Sequence, residues 1–305
     1  MGAFFSIVMP TYNRAGLIGQ AIESVLGQSF KEWELVIVDD GSTDNTKEVV
    51  LAYNDPRIKY IFQQNAERSV ARNNGIDNST GTYICFLDSD DYYLTHRLRL
   101  LYEQIISRNQ MVAFYYTGIA YKIDGHVSDR PELKNETDNI FDFIVQAIIG
   151  TPQVCIHRNL LSENRFDPQF HIGEDMELWL RIAVDAAPQY LENQFTVVAV
   201  EHNDRSVNVR RYNSYQHQLR MLKKVFSAAH PGHAVSGRIK KQLLSNCFFG
   251  IAKYYLYQGD RLSAMSNLLR AVFTDVKHFQ NKYRLNLMLR LLQPNGTEKA
   301  RRLLD

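Results

Sequence analysis

Short apolar runs alternate with amphipathic stretches along the first hundred residues. Phe4–Met9 is an apolar run that stops at Pro10, and Leu35–Val38, Ile58–Phe62 and Tyr83–Leu87 repeat the pattern, each with the length and side-chain type of a buried strand. Between them, Ala15–Leu26 carries Leu17, Ile18, Ala21, Ile22, Val25 and Leu26 at helical spacing, Asp44–Tyr53 opens on an acidic N-cap candidate, and Ser69–Asn78 and Leu94–Ser107 also read as helices. Strands alternating with helices predict an α/β fold, a mostly parallel sheet flanked by helices. In such sheets ligands bind beyond the carboxyl ends of the strands. Further on, the polar stretch Asp124–Asn139 predicts a loop. Glu174–Ala186 predicts a helix through Met176, Leu178, Trp179, Ile182 and Ala183, and Phe195–Val200 a late strand ending near His202. From Tyr212 the pattern is helical throughout, with elements expected over 213–229, 238–257, 261–274 and 278–292. The expected division is therefore an α/β domain over 1–206 and an all-helical extension over 207–305.

Composition narrows this picture. With 305 residues, 45% hydrophobic and 11% aromatic, the chain can bury a full core. No apolar run reaches the roughly 18–20 residues of a membrane span. No basic segment followed by an apolar stretch and a cleavage site opens the chain, so no signal peptide is expected. Met1-Gly2 with Ser6 matches a myristoylation pattern loosely, but strand residues from Phe4 leave no free arm for it. Cys85, Cys155 and Cys247 are widely spaced without C-x-x-C, which disfavours a disulfide framework or zinc site and favours a reducing cytosol. Tyr254–Asp260 with Ala264 and Leu268 resembles one hairpin of a tetratricopeptide repeat, but one hairpin is no array, and helices packed on the first domain are the favoured reading.

Charge is divided unevenly. Residues 205–305 hold 19 Lys+Arg against 4 Asp+Glu, a balance of +15, and residues 1–204 hold 16 against 29, a balance of −13. The acidic part suits a metal. The basic part suits an anionic partner such as a membrane surface, a lipid diphosphate or nucleic acid.

Three acidic sites carry candidate chemistry. In Phe-Leu-Asp-Ser-Asp-Asp at 86–91, Asp88, Asp90 and Asp91 crowd a strand end, where they repel one another unless a cation lies among them. D-x-D there suits a hard divalent ion shared with a diphosphate; the bland alternative is an acidic turn that starts a helix. In VIVDDGSTDNT at 36–46, turn formation and capping account for Gly41, Ser42 and Asp44. They account poorly for Asp39, a carboxylate at a buried strand end, which can accept the N3–H of a uracil. Glu174–Asp175 reads as helix N-terminal acids by itself; beside a metal–diphosphate crevice it is the natural general base for a hydroxyl nucleophile. Trp179, one turn on, is a candidate for the acceptor side. Arg68 and Arg72 share a helix face and reach for phosphate or base edges, although Arg68 alone reads as a solvated residue. VMPTYNR at 8–14 joins the first strand to its helix and lacks G-x-G-x-x-G, which argues against a dinucleotide fold. His202 is a candidate third metal ligand. G-x-S-x-G, H-E-x-x-H and G-x-x-x-x-G-K-[ST] are absent, which disfavours serine hydrolase, zinc protease and P-loop chemistry.

FSIVMPTYNRAGLIGQAIESVLGQSF, ELVIVDDGSTDNT, ARNNGIDNSTGTYICFLDSDD and RFDPQFHIGEDMELWLRI occur in this order. Over residues 3–206 the chain resembles the family-2 inverting glycosyltransferases with the GT-A fold. The resemblance implies a nucleotide-sugar donor, commonly UDP-linked, and Mn2+ or Mg2+ as cofactor. It implies that Pro10, Thr11, Tyr12, Asp39, Arg72, Asp88 and Ser89 surround the donor, and that Asp90 and His202 hold the metal. It further implies that Asp175 deprotonates the acceptor with Glu174 orienting it. The expected acceptor is a glycan or lipid-linked saccharide, as in cell-surface polysaccharide synthesis. The segment Asn65-Ala66-Glu67-Arg68 departs from the glycine-rich approach of many members. Without Q-x-x-R-W and membrane spans, non-processive transfer is expected. A cytoplasmic protein follows, peripheral on the inner membrane face or self-associated through its helices, with no nucleic-acid partner. The alternatives are a sugar-nucleotide nucleotidyltransferase, which would show a Gly-rich basic N-terminal loop, and a non-catalytic nucleotide- or glycan-binding member.

Overall fold

In the computed structural model, Phe5–Thr11 (β1), Trp33–Asp39 (β2), Ile58–Phe62 (β3) and Tyr83–Phe86 (β4) form a parallel half-sheet in the order β3-β2-β1-β4. The structure describes residues 2–129, 137–200, 211–277 and 281–293, which form two compact units, Met1–His202 and Asn203–Asp305. β1 is buried along its whole length, as its unbroken apolar run requires. Pro10 lies inside β1 rather than ending it. Even-numbered residues of β1 face β4, as the Leu87 N–H to Val8 carbonyl bond shows, and Pro10 lies one step beyond the last β4 pair. Its missing N–H therefore breaks no ladder bond.

Ile18–Leu26 (α1) and Arg97–Ser107 (α4) cover one sheet face. They bury Ile18, Ile22, Val25, Leu98, Leu101 and Ile105 against Phe5, Ile7, Met9, Leu35, Ile37 and Cys85. Arg68–Asp77 (α3) covers the other face, where Val36, Val38 and Ala71 cluster. The helix lies so close to β1 that a Cβ on Gly75 would stand 2.4 Å from a Val8 methyl. Thr46–Leu51 (α2) connects β2 to β3.

The second half of the sheet differs from the expected mostly parallel arrangement. Tyr92–Tyr93 (β5), Phe114–Ile123 (β6), His126–Asp129 (β7), Val154–His157 (β8) and Pro188–Val200 (β9) complete the order β3-β2-β1-β4-β8-β6-β9-β5, with β7 beside β6. β8 joins β4 antiparallel, β6 joins β8 antiparallel, and β9 runs parallel to β6. The sheet is mixed because β8 enters from the opposite end. Within the expected loop, His126–Asp129 forms β7, and residues 130–136 lie outside the described part. Ile140–Ala147 (α5), Arg158–Ser162 (α6) and Glu174–Ile182 (α7) follow.

The second unit contains Arg211–Val225 (α8), Gly237–Gln258 (α9), Arg261–Thr274 (α10) and Asn281–Leu291 (α11). Its core holds Ala252, Leu256, Ala264, Leu268, Leu287 and Leu291. No described helix is long and apolar enough to cross a membrane.

Candidate active site

The turns after β1 and β2 are stapled together. The Asn13 N–H donates to Ser42 Oγ (2.9 Å) and the Thr43 N–H donates to Asn13 Oδ1 (2.8 Å). Asn13 and Gly41 take left-handed φ values of 51° and 83°, and a Cβ on Gly41 would meet the Asn65 nitrogen at 2.9 Å. Asp40 accepts from Gln63 Nε2 (2.7 Å) and from the Ala66 N–H (2.8 Å), which fixes the approach to α3.

Asp39 is buried, yet it has partners that its sequence context hid. Its carboxylate accepts the Ser42 N–H (2.8 Å) and the Tyr60 hydroxyl (2.7 Å). Its burial is therefore compensated within the fold, and the argument that it needs a ligand falls away; spare lone pairs remain. Thr11, its register partner on β1, has a buried hydroxyl without any hydrogen-bond partner. Pro10 is buried beside it, and Tyr12 is 47% exposed at the rim.

The 88–91 turn leaves β4 and closes through the Asp91 N–H to the Asp88 carbonyl (3.0 Å). Asp91 points away from any ligand role: it is buried and accepts the Val200 N–H (3.0 Å), tying the turn to β9. Ser89 is buried. Asp88 accepts from Arg72 Nη2 at 2.9 Å, and Asp90 lies 3.8 Å from Arg14 Nε.

Arg72 is the centre of the site. It is buried, and its other terminal nitrogen donates to Glu174 at 3.0 Å, so one guanidinium joins the D-x-D turn to the start of α7. Burial would lower its pKa, but Asp88 and Glu174 outweigh this and raise it. Arg68 corrects its reading as a solvated residue: Nε lies 3.6 Å from Glu174, and Nη2 donates to the His171 carbonyl (3.3 Å). Glu174 therefore lies between two arginines. Asp175, the next residue on α7, accepts the Met176 N–H (2.8 Å). Burial, followed by the neighbouring Glu174 charge, pushes the Asp175 carboxyl up to about 6, against the pull of Met176 N–H, Arg72 and Arg68.

Among the described residues, no three His, Cys, Asp or Glu side chains converge as a metal cage. Asp88 and Asp90 offer hard oxygen donors at one strand end. That set fits an ion which takes one or two carboxylates from protein and the rest of its shell from a diphosphate and water. His202 lies outside the described residues. Trp179 is a correction: it is fully buried, its Nε1–H donates to the Ile149 carbonyl (2.9 Å), and Phe114 and Phe166 pack on it. It is core and cannot line an acceptor surface. Sequence reasoning missed Arg14 and Tyr60. Arg14 stood in the quoted VMPTYNR turn as its only cation, which was the available signal; Tyr60 gave none, because an aromatic residue in a strand is ordinary.

Residues 6–163 match the family model described as glycosyl transferase family 2. A β-1,3-glucosyltransferase of Campylobacter jejuni acting on GalNAc(5)-diNAcBac-PP-undecaprenol is 30% identical over 219 residues, covering 69% of each chain. An uncharacterized glycosyltransferase of Rickettsia felis is 36% identical over 183 residues, 58% of this chain, and the chain spans 30% of that protein's length. Among solved structures, Staphylococcus aureus TarS (residues 1–349) in complex with UDP-GlcNAc aligns with a TM-score of 0.62 at 20% identity, covering 99% of this chain and 88% of that one, a likeness of fold.

Proposed function

Because the chain belongs to glycosyl transferase family 2, we propose that it moves a single sugar from a UDP-sugar to a hydroxyl of a lipid-linked glycan, with inversion at the anomeric carbon. The observation that carries this reading is the Arg72 bridge: one buried guanidinium holds Asp88 on the D-x-D turn and Glu174 beside Asp175. A donor-side carboxylate and the residue next to the base are thereby fixed to a common buried cation.

Thr11, Tyr12, Asp39, Asp88 and Ser89 line the donor side. The partnerless Thr11 hydroxyl and the exposed Tyr12 ring are the groups most ready to meet a nucleoside. Asp88 and Asp90 would hold Mn2+ or Mg2+, which when bound supplies positive charge against the leaving diphosphate. Asp175 takes the acceptor hydroxyl proton as the acceptor oxygen bonds to the anomeric carbon. The bond from that carbon to the diphosphate oxygen breaks, and its electron pair leaves with UDP. A base pushed up to about 6 is mostly ionised at neutral pH and is a stronger proton acceptor than an ordinary aspartate for a hydroxyl in the transition state. Glu174 positions rather than reacts, since both arginines occupy it. The acceptor class follows the Campylobacter relative's undecaprenol-diphosphate substrate.

The test is a screen of nucleotide-sugars, with and without Mn2+, for protection against heat, followed by product analysis with the best donor. UDP release with a β-linked product from an α-linked donor is expected. Pyrophosphate release would overturn the reading in favour of a nucleotidyltransferase.

A further inference from the structure

The last two described helices carry apolar residues on their outward faces, where a surface helix is normally polar. α10 buries Ala264, Leu268 and Ala271. On the opposite side Leu262 is 86% exposed and Phe273 74%, with Leu269 between them. Spacings of seven and four residues put these three on one line of the helix, and Val276 extends the exposed apolar row just past its end. α11 repeats the arrangement: Leu287 and Leu291 are buried, while Leu285 and Leu289 on the helix, and Leu292 just after it, face out.

Cations surround this surface. A cavity of about 790 Å³ at the end of α10 is lined by Arg238, Lys241, Lys277, Phe273 and Val276, with Asp275 as its one acid. Lys282 is exposed on α11, and Arg270 is exposed on α10. Arg284 on α11 takes no part in this surface: it is fully buried and bonds Ser245 and Asn246.

We propose that the outward faces of α10 and α11, with the Arg238–Lys241–Lys277 cavity beside them, dock the protein on an anionic lipid surface. An apolar row bordered by cations is the pattern of a helix lying in a membrane interface, where the row enters the acyl boundary and the cations meet phosphates. A second copy of the chain is the weaker occupant, because it would set one region of +15 against another. The surface stands apart from the catalytic reading, and binding is measured without donor, so the two fail independently.

The experiment floats the full chain with vesicles of phosphatidylcholine alone or with about one third phosphatidylglycerol, at low and high salt. Capture by the anionic vesicles only, weakened by salt, is expected. Lys241→Glu and Lys277→Glu each lower the partition about five-fold or more. Phe273→Ser lowers it about ten-fold even at low salt. All three positions are exposed, and an unchanged melting temperature confirms that the variants are folded. Equal capture by neutral vesicles, or no capture by either, overturns the proposal. So does a dimer in sedimentation velocity that Phe273→Ser dissolves, which assigns the face to a second copy.

Discussion

Two of the buried arginines, Arg72 in the first unit and Arg284 in the second, are held in opposite ways. Arg72 faces two carboxylates, Asp88 at 2.9 Å and Glu174 at 3.0 Å, and its pKa is raised. Arg284 faces the neutral oxygens of Ser245 and Asn246 and lies over the Phe249 ring at 4.8 Å. Burial lowers its pKa, with only a more distant attraction to Asp275 opposing that. In the helical unit the guanidinium acts as a polar cross-link that neutral dipoles satisfy. Arg72 is instead one member of a charge cluster with costly desolvation, and it draws the neighbouring Asp175 carboxyl downward. The difference is that neutral dipoles suffice to satisfy a buried guanidinium, as at Arg284, whereas Arg72 is paired with two carboxylates, the arrangement on which the proposed function rests.

The largest effect belongs to the residue this cluster tunes. Asp175→Asn is expected to lower kcat by about 10²–10⁴-fold with donor affinity nearly unchanged, measured by steady-state turnover and heat protection. In the wild type, kcat falls about ten-fold per pH unit below about 6, because the ionised form of the base is the active one. That limb belongs to the Glu174–Asp175 pair, so removing Arg72 should move it to higher pH. A pH profile flat down to pH 4 would detach Asp175 from the proton step.

Arg72→Met and Arg284→Met put the two arginines into direct competition. Arg72→Met leaves Glu174 and Asp88 without their main counter-ion and should cost about 3–5 kcal/mol in denaturant unfolding. Arg284→Met leaves no charge behind, and Ser245 keeps its bond to the Ala271 carbonyl (2.6 Å), so about 1 kcal/mol is expected. Equal costs would mean that the two arginines are held alike.

Glu34 asks whether pairing by itself marks a working site. It is buried on β2, far in sequence from any candidate catalytic residue, and accepts from Lys59 and Ser6 at 2.6 Å each and from the Thr80 hydroxyl at 2.8 Å. Burial would raise its carboxyl, but these bonds win and pull it down to about 2. A depressed pKa contributes stability above the ordinary glutamate value, and the contribution is lost as pH falls through about 2. Roughly 3 kcal/mol should disappear over that window, and Glu34→Gln should flatten the slope without affecting kcat. Lost activity in that variant would mean that this network also serves the site.

How much of this could be read from the chain differs by region. The first four strands were legible because each is an isolated apolar run between polar turns. Asp88, Asp90 and the Glu174–Asp175 pair were legible because carboxylates at strand and helix starts stand out. β6 was not, since Thr117, Gly118 and Lys122 interrupt its apolar pattern, and β8 is only four residues long. Reading no element between Ser107 and Glu174 hid the antiparallel join. The Asp39–Tyr60 bond and the Arg72–Glu174 bridge span 21 and 102 residues, and no local pattern encodes such pairs.

The smallest effect probes strain beside the cluster. Glu67 precedes α3 with φ 77° and ψ 159°, a backbone region that only glycine occupies freely. The conformation costs about 1–3 kcal/mol, and glycine would recover it less about 0.5–1 kcal/mol of added unfolded-state freedom. Glu67→Gly should therefore stabilise the protein by about 1 kcal/mol, read as a shift of the denaturation midpoint. No gain would mean that the Glu67 carboxylate, 3.8 Å from His171 Nδ1, offsets the strain by holding the segment whose carbonyl binds Arg68. Kinetics separate the cases further: if Glu67 holds that segment, Glu67→Gly loosens Arg68 and raises KM for the donor, whereas pure strain relief leaves KM unchanged.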